Sequence, residues 1–236
     1  MPIGTPTSLG SFRSSNNPTS SNTFTTSTNL PGGACAFVWF AGGGNSSQAF
    51  HVSSVSDGTN TYSQAYGIQN TSGANIDVEL WIAPNCLAVS SGATITVSLS
   101  ASPGGSGSGC NIGAFYVTGL ASIPTDKTAN SLSNTATPSV TTGTLSQANE
   151  IVFGSSFNED ATPSYTESSG FTNLFASIAS AGQAAALSYQ IVSSTSSVTY
   201  APTWSATGIV SVTTIIVSFE GGSSSASTIF TLAIGH

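Results

Sequence analysis

The sequence predicts an all-β chain, an antiparallel two-sheet β-sandwich preceded by an extended N-terminal arm. Three observations carry this prediction. Short apolar runs recur between clusters of Gly, Asn, Ser and Pro. Two segments alternate apolar and polar residues with the period of a half-buried strand. No stretch sustains a helical period over several turns. The 236 residues suit one large all-β domain, and 39% apolar residues with twelve Phe, six Tyr and three Trp suffice for a core despite the Ser/Thr/Gly-rich appearance.

Residues 1–31 are rich in Ser, Thr, Asn and Pro, with isolated Leu9, Phe12 and Phe24 and one short strand candidate at Thr23 to Thr28. They read as an arm that is either mobile or ordered on a neighbouring subunit. After Pro31-Gly32-Gly33 the strand pattern begins. Ala34 to Ala41 is expected as a fully buried strand ended by Gly42-Gly43-Gly44-Asn45, and Phe50 to Ser56, Asp57-Gly58-Thr59-Asn60 and Tyr62 to Ile68 as a hairpin. Ile76 to Ala83 places Ile76, Val78, Leu80 and Ile82 on one face and Asp77, Glu79 and Trp81 on the other, and Ala93 to Ala101 repeats the alternation.

The run Pro103 to Gly109 is a loop, because strand patterns resume at once with Ile112 to Leu120. Further strands are expected at Ser139 to Leu145, Glu150 to Phe157, Ala184 to Val192, Thr199 to Ala206, Ile209 to Glu220 and Thr228 to Ile234, while Phe171 to Ala181 fits a short helix or a strand. About ten to twelve short strands without repeated helices suit two packed sheets of jelly-roll or immunoglobulin-like topology. The expected units are the arm (1–31), the sandwich (32–221) and a C-terminal strand or tail (222–236) that pairs in its own chain or a neighbour's.

Charge narrows the function. Only 5% of residues are charged, Arg13 and Lys127 are the sole Lys/Arg cations, and the formal net charge is −7. A row of phosphates cannot be neutralised by such a chain, so nucleic acid is excluded as a partner, and anionic membrane surfaces with it. No run approaches the ~18 consecutive apolar residues of a membrane span, and the first thirty residues lack the basic start and apolar stretch of a Sec-type signal. Cys35, Cys86 and Cys110 cannot all pair within one chain. Cys35 reads as a small buried apolar residue, and Cys86 can pair with Cys110 only where the fold joins their turns.

The order Val55-Ser56-Asp57-Gly58-Thr59-Asn60-Thr61-Tyr62, Leu80-Trp81-Ile82-Ala83-Pro84-Asn85, Ala93-Thr94-Ile95-Thr96-Val97 and Tyr116-Val117-Thr118-Gly119-Leu120 with Asp126-Lys127-Thr128-Ala129 resembles a recurrent jelly-roll or immunoglobulin-like β-sandwich domain. That domain occurs in phage virion surface proteins (decoration, fibre and tail-associated) and in bacterial surface or secreted proteins. The resemblance spans about Ala34 to Glu220. It departs where Phe115 replaces the family's common Glu and where the family's Asp-x-x-Gly-Asn turn is shortened to Asp57-Gly58-Thr59-Asn60. It implies a structural or adhesive role.

Candidate sites follow from residue type. A catalytic triad would need His51 or the terminal His236, and no Gly-x-Ser-x-Gly elbow precedes a helix. Asp77 and Glu79, about 7 Å apart on one strand face, have the residue types of a glycosidase pair, and equally those of a soluble sheet face. Asp57 with Asn60, or Asn158, Glu159 and Asp160, are candidate calcium ligands, and Asp57-Gly58 also reads as plain turn chemistry. Among Trp39, Trp81 and Trp204, Trp81 shares a face with Asp77 and Glu79, which makes these three the candidate ligand or interface residues.

No catalytic residue and no cofactor is expected. The leading expectation is a non-enzymatic structural component of a virion or similar particle surface, such as a capsid decoration, head fibre or tail-associated protein, assembling through its arm and sheet edges. Its partners would be copies of itself and other particle proteins, with host attachment possible through surface glycans, and its location the virion surface or the extracellular space. The alternative is a secreted adhesin or carbohydrate-binding module.

Overall fold

A computed structural model describes residues 2–14, 19–44, 49–71, 75–103, 108–159, 164–177, 183–205 and 212–222. All the regular elements among them are strands, and every pairing is antiparallel. In chain order they are β1 (Thr7–Ser14), β2 (Ser21–Thr25), β3 (Cys35–Gly44), β4 (Val52–Ser56), β5 (Ser63–Asn70), β6 (Asn75–Ala83), β7 (Thr94–Leu99) and β8 (Gly109–Val117). The second half contributes β9 (Leu120–Ser133), β10 (Val140–Thr141), β11 (Glu150–Asn158), β12 (Ser164–Thr166), β13 (Thr172–Ser177), β14 (Ala184–Val192), β15 (Thr199–Tyr200), β16 (Thr203–Ser205) and β17 (Val212–Gly221).

The strand order reveals a duplication. The first half forms a five-stranded sheet β1-β8-β3-β6-β5 and a three-stranded sheet β2-β7-β4. The second half forms β9-β17-β11-β14-β13, the same order position for position, with the short pairs β10-β15 and β12-β16 standing where β2-β7-β4 stands in the first. The counterpart of β7 is broken in two at Ala201-Pro202, between β15 and β16. Proline has no N–H to donate to a ladder.

The sheets stack in four layers rather than the expected two. Between the five-stranded sheets lie Phe37, Trp39, Val78, Leu80 and Phe115 from one and Phe153, Phe157, Leu187, Val217 and Phe219 from the other. Phe37 stacks on Phe115 at 5.0 Å between centroids with 6° between ring planes, and meets Phe219 edge-on at 5.0 Å. The opposite face of β3 and β8, with Val38, Phe40, Ile112 and Ala114, packs on Val55, Ile95 and Val97 of the three-stranded sheet. Beyond the second five-stranded sheet, Val152 and Ile216 meet Tyr200, Val140 and Phe171, and Ala186 and Val212 meet Trp204. Both central sheets are thus covered on both faces. This is why β3, β11 and most of β17 are buried at every position and read in the sequence as continuous runs instead of alternations.

Several expectations are corrected. Residues 1–31 do not form a free arm: β1 pairs with β8 from Thr7 to Ser14, and β2 pairs with β7 from Ser21 to Thr25. The polar side chains facing out of β1 hide it, and β2 begins two residues before the expected Thr23 to Thr28 strand; Leu9 and Asn22 point inward. The predicted hairpin at Asp57 is a crossover instead. β4 pairs with β7 and β5 with β6, so the chain passes from one sheet to the other, leaving a single bridge between Ser56 and Thr61. β3 runs through Gly42 to Gly44 rather than ending there, because a Cβ at Gly44 would come within 2.6 Å of the Pro103 carbonyl oxygen. Thr172–Ser177 is a strand, and the predicted strand at Thr228 to Ile234 lies outside the described residues.

Candidate functional site

β6 runs between β3 and β5 and carries Asp77, Glu79 and Trp81 on the face turned away from the central core. This face is closed. Glu79 is 1% exposed and Asp77 2%, while Trp81 is half-buried against the outer core. The Val52 N–H at the start of β4 donates to Glu79 Oε1 at 2.9 Å, and Gln64 Nε2 and Trp81 Nε1 donate to Oε2 at 2.8 and 2.6 Å. Gly67 stands opposite Glu79 on β5, where a Cβ would approach Glu79 Cγ to 2.8 Å. The carboxylate therefore joins β4, β5 and β6 from inside the first half, and cannot flank a bound sugar as a glycosidase acid must.

Asp77 lies beside it. Burial, followed by the hydrogen bond and charge of Glu79, raises the Asp77 carboxyl well above the usual carboxylate range, and its Oδ2 is buried without a hydrogen-bond partner. A folded-state pKa above the unfolded value of about 4 means the native state binds the extra proton, so this group subtracts stability as pH rises from about 4 through its folded value. Asp77→Asn is expected to be more stable than the native chain at pH 7, with the difference vanishing below about pH 4. Urea unfolding at both pH values checks this, and equal midpoints at pH 7 would contradict it.

Asp57 is a turn builder. Its Oδ1 accepts the N–H groups of Thr59 and Asn60 at 2.9 and 2.7 Å, and its Oδ2 accepts Asn60 Nδ2 and the Tyr62 hydroxyl at 2.8 and 3.1 Å. Asn60 in turn bonds both backbone groups of Leu87. These donors engage both carboxylate oxygens and direct the crossover from β4 to β5. Burial pushes the Asp57 carboxyl up, but the four hydrogen bonds outweigh it and hold it below its ordinary value. Its stabilisation is present above about pH 4 and is lost as pH falls through the folded value. Asp57→Asn is expected to lose about 1–3 kcal/mol at pH 7, and the loss is expected to shrink as pH falls below about 4, measured by urea unfolding across that range.

The second calcium set is only partly described. Asn158 is buried at the end of β11 between Ala184 and Val212, Glu159 follows with its carboxyl raised by burial, and Asp160 lies outside the described residues. His51 is exposed and its Nδ1 meets Ser100 Oγ at 3.1 Å, with no carboxylate among the described residues to orient the ring, and His236 is not described. Trp39 and Trp204 are core residues whose indole N–H groups donate to Ser155 Oγ at 2.8 Å and Ser156 Oγ at 3.0 Å. The three cysteines are buried free thiols, and burial raises Cys86 to about 11 and Cys110 to about 12.

Two groupings escaped the sequence. A pocket of about 200 Å³ opens at the rim where β1 and β8 meet β13, lined by Phe12, Arg13, Trp39, Asn111 and Phe175 among others. Trp39 and Phe175 stack there at 6.1 Å, and the buried Asn111 Oδ1 accepts no hydrogen bond. The other grouping is Asp126, Glu150 and Glu220, whose carboxylate oxygens lie within 4.8 Å of one another. They come from β9, β11 and β17, which only the sheet order makes neighbours. Comparison with known proteins finds no matching family model, curated protein or solved structure.

Proposed function

We propose that this chain is a non-enzymatic structural component of a virion or similar particle surface, built as two jelly-roll units in tandem. The observation that carries the reading is the repeated strand order. In each half, strands one, eight, three and six lie side by side in that order, while strands two, seven and four form a sheet in the first half and two short pairs in the second, an order that resembles the jelly roll with its fifth strand moved beside the sixth. Jelly rolls build capsid and lectin domains, whose work is packing and recognition. Supporting it, the candidate carboxylates Asp77 and Glu79 are buried and His51 lacks a carboxylate partner among the described residues.

With β1 and β2 paired inside the chain, assembly falls to the sheet edges. The edge strand β2 (Ser21-Asn22-Thr23-Phe24-Thr25) is free of the charges that usually guard an edge. The expected partners are copies of the chain and other particle proteins, at a virion surface or in the extracellular space. Sedimentation and electron microscopy of the purified full chain, with antibody labelling of particles from the source, test this. Ordered oligomers and labelled particles are expected; a monomer at every concentration together with unlabelled particles would overturn it.

A second reading, a secreted adhesin or carbohydrate-binding module, is favoured by the rim pocket, whose Arg13 is exposed and whose Asn111 offers an unused acceptor. Binding on a glycan array that Arg13→Ala abolishes would select it over the first.

A further inference from the structure

We propose that Asp126, Glu150 and Glu220 form a binding site for a hard divalent cation, calcium by preference. The fold assembles it at one end of the second five-stranded sheet. Glu150 and Glu220 face each other across β11 and β17. Asp126 falls in the irregular stretch of β9 between the pairs Thr128↔Val217 and Thr125↔Phe219, opposite Ser218. A bulge of this kind redirects a side chain, and here the Asp126 carboxylate meets the two glutamates.

Three features point to a ligand rather than to a solvated acidic patch. The oxygens lie within 4.8 Å of one another, so an ion with bonds of about 2.3–2.6 Å can touch all three. Glu150 is 0% exposed; its Oε1 accepts the Gln147 N–H at 3.2 Å, but its buried Oε2 accepts no hydrogen bond. A buried carboxylate oxygen left this way needs a cation or a proton. Finally, the ammonium of Lys127 meets Asp126 Oδ1 at 2.6 Å, and one positive charge against three carboxylates leaves an excess of two negative charges when all are ionised.

The donor set names the ion. Oxygen donors without His or Cys select magnesium, calcium or manganese over zinc and copper. Glutamates from paired strands with half-buried neighbours suit the variable geometry of calcium better than the strict octahedron of magnesium. The loop from Ser146 to Asn149 closes over the group: the Ser146 N–H donates to Asp126 Oδ2 at 2.9 Å and Gln147 Nε2 to the Gly221 carbonyl at 3.0 Å. A bound ion would tie β9, β11, β17 and this loop together.

The test uses the full chain freed of metal by a chelator. Calorimetric titration with calcium chloride is expected to show one site per chain and a melting temperature that rises to saturation. Glu220→Gln, at a half-buried position, and Glu150→Gln are each expected to weaken calcium binding at least about tenfold, whereas Asp57→Asn keeps it. No heat and no melting shift up to about 10 mM calcium, or undiminished affinity in Glu220→Gln, would overturn the proposal. In that event the orphaned Glu150 oxygen is held by a proton.

Discussion

Phe37→Ala is expected to lower the unfolding free energy by about 3–5 kcal/mol, the largest loss for any single side chain of the central core. Phe37 is wholly buried and is stacked on Phe115 within its own sheet, and it meets Phe153 at 5.4 Å and Phe219 at 5.0 Å across the gap to the second half. Its removal leaves a void walled by three rings that are themselves locked: Phe115 and Phe153 touch at 5.1 Å, and Phe153 and Phe219 at 5.8 Å. Such a wall collapses little, so the cavity term adds to the lost transfer energy. Because the ring joins the two halves, the variant is also expected to unfold less cooperatively, the halves separating into two transitions in urea. A loss below about 1 kcal/mol would mean that the halves are held by other contacts.

Glu79→Ala is expected to lose about 3 kcal/mol, because the buried Val52 N–H, the half-buried Trp81 indole and the exposed Gln64 amide lose their acceptor at once. The Val52 N–H, Gln64 Nε2 and Trp81 Nε1 all end on this one carboxylate. Glu79→Gln is expected to fall between, since its amide keeps one acceptor oxygen but turns an NH₂ toward a donor. Trp81 fluorescence should report the change directly, shifting in Glu79→Ala as the indole loses its partner. Urea midpoints for Glu79→Ala within about 0.5 kcal/mol of the native chain would show that the donors find water instead.

These two residues mark the limits of what the chain discloses unaided. Phe37 sits in Cys35-Ala36-Phe37-Val38-Trp39-Phe40, a run that announces a strand buried on both faces. Glu79 sits in an alternation that assigns it to the polar side, and an alternation cannot say what covers that side. The sequence pattern of β6 is the same whether its second face meets water or another sheet. β9 is hidden for a related reason: Thr125 to Ser133 is mostly polar on both faces, with only Ala129 and Leu132 apolar, and its partners on β17 lie about eighty to ninety positions away.

The all-β class, the antiparallel strands and the place of most of them follow from local pattern and turn chemistry, which act within a few residues. The same holds for the turn at Asp57. What tertiary structure alone decided is the four-layer stack, the repeated order of its two halves and the folding of β1 and β2 into their own chain. It also decided the two groupings with chemical character. Asp126, Glu150 and Glu220 are far apart along the chain and adjacent only because β11, β17 and β9 are neighbours in the sheet. Strand pairing is a long-range choice, made by which faces bury together. No single segment carries that information: the alternation of β6 fits an open acidic face and a covered one equally, and the second sheet that closes over it decides between them.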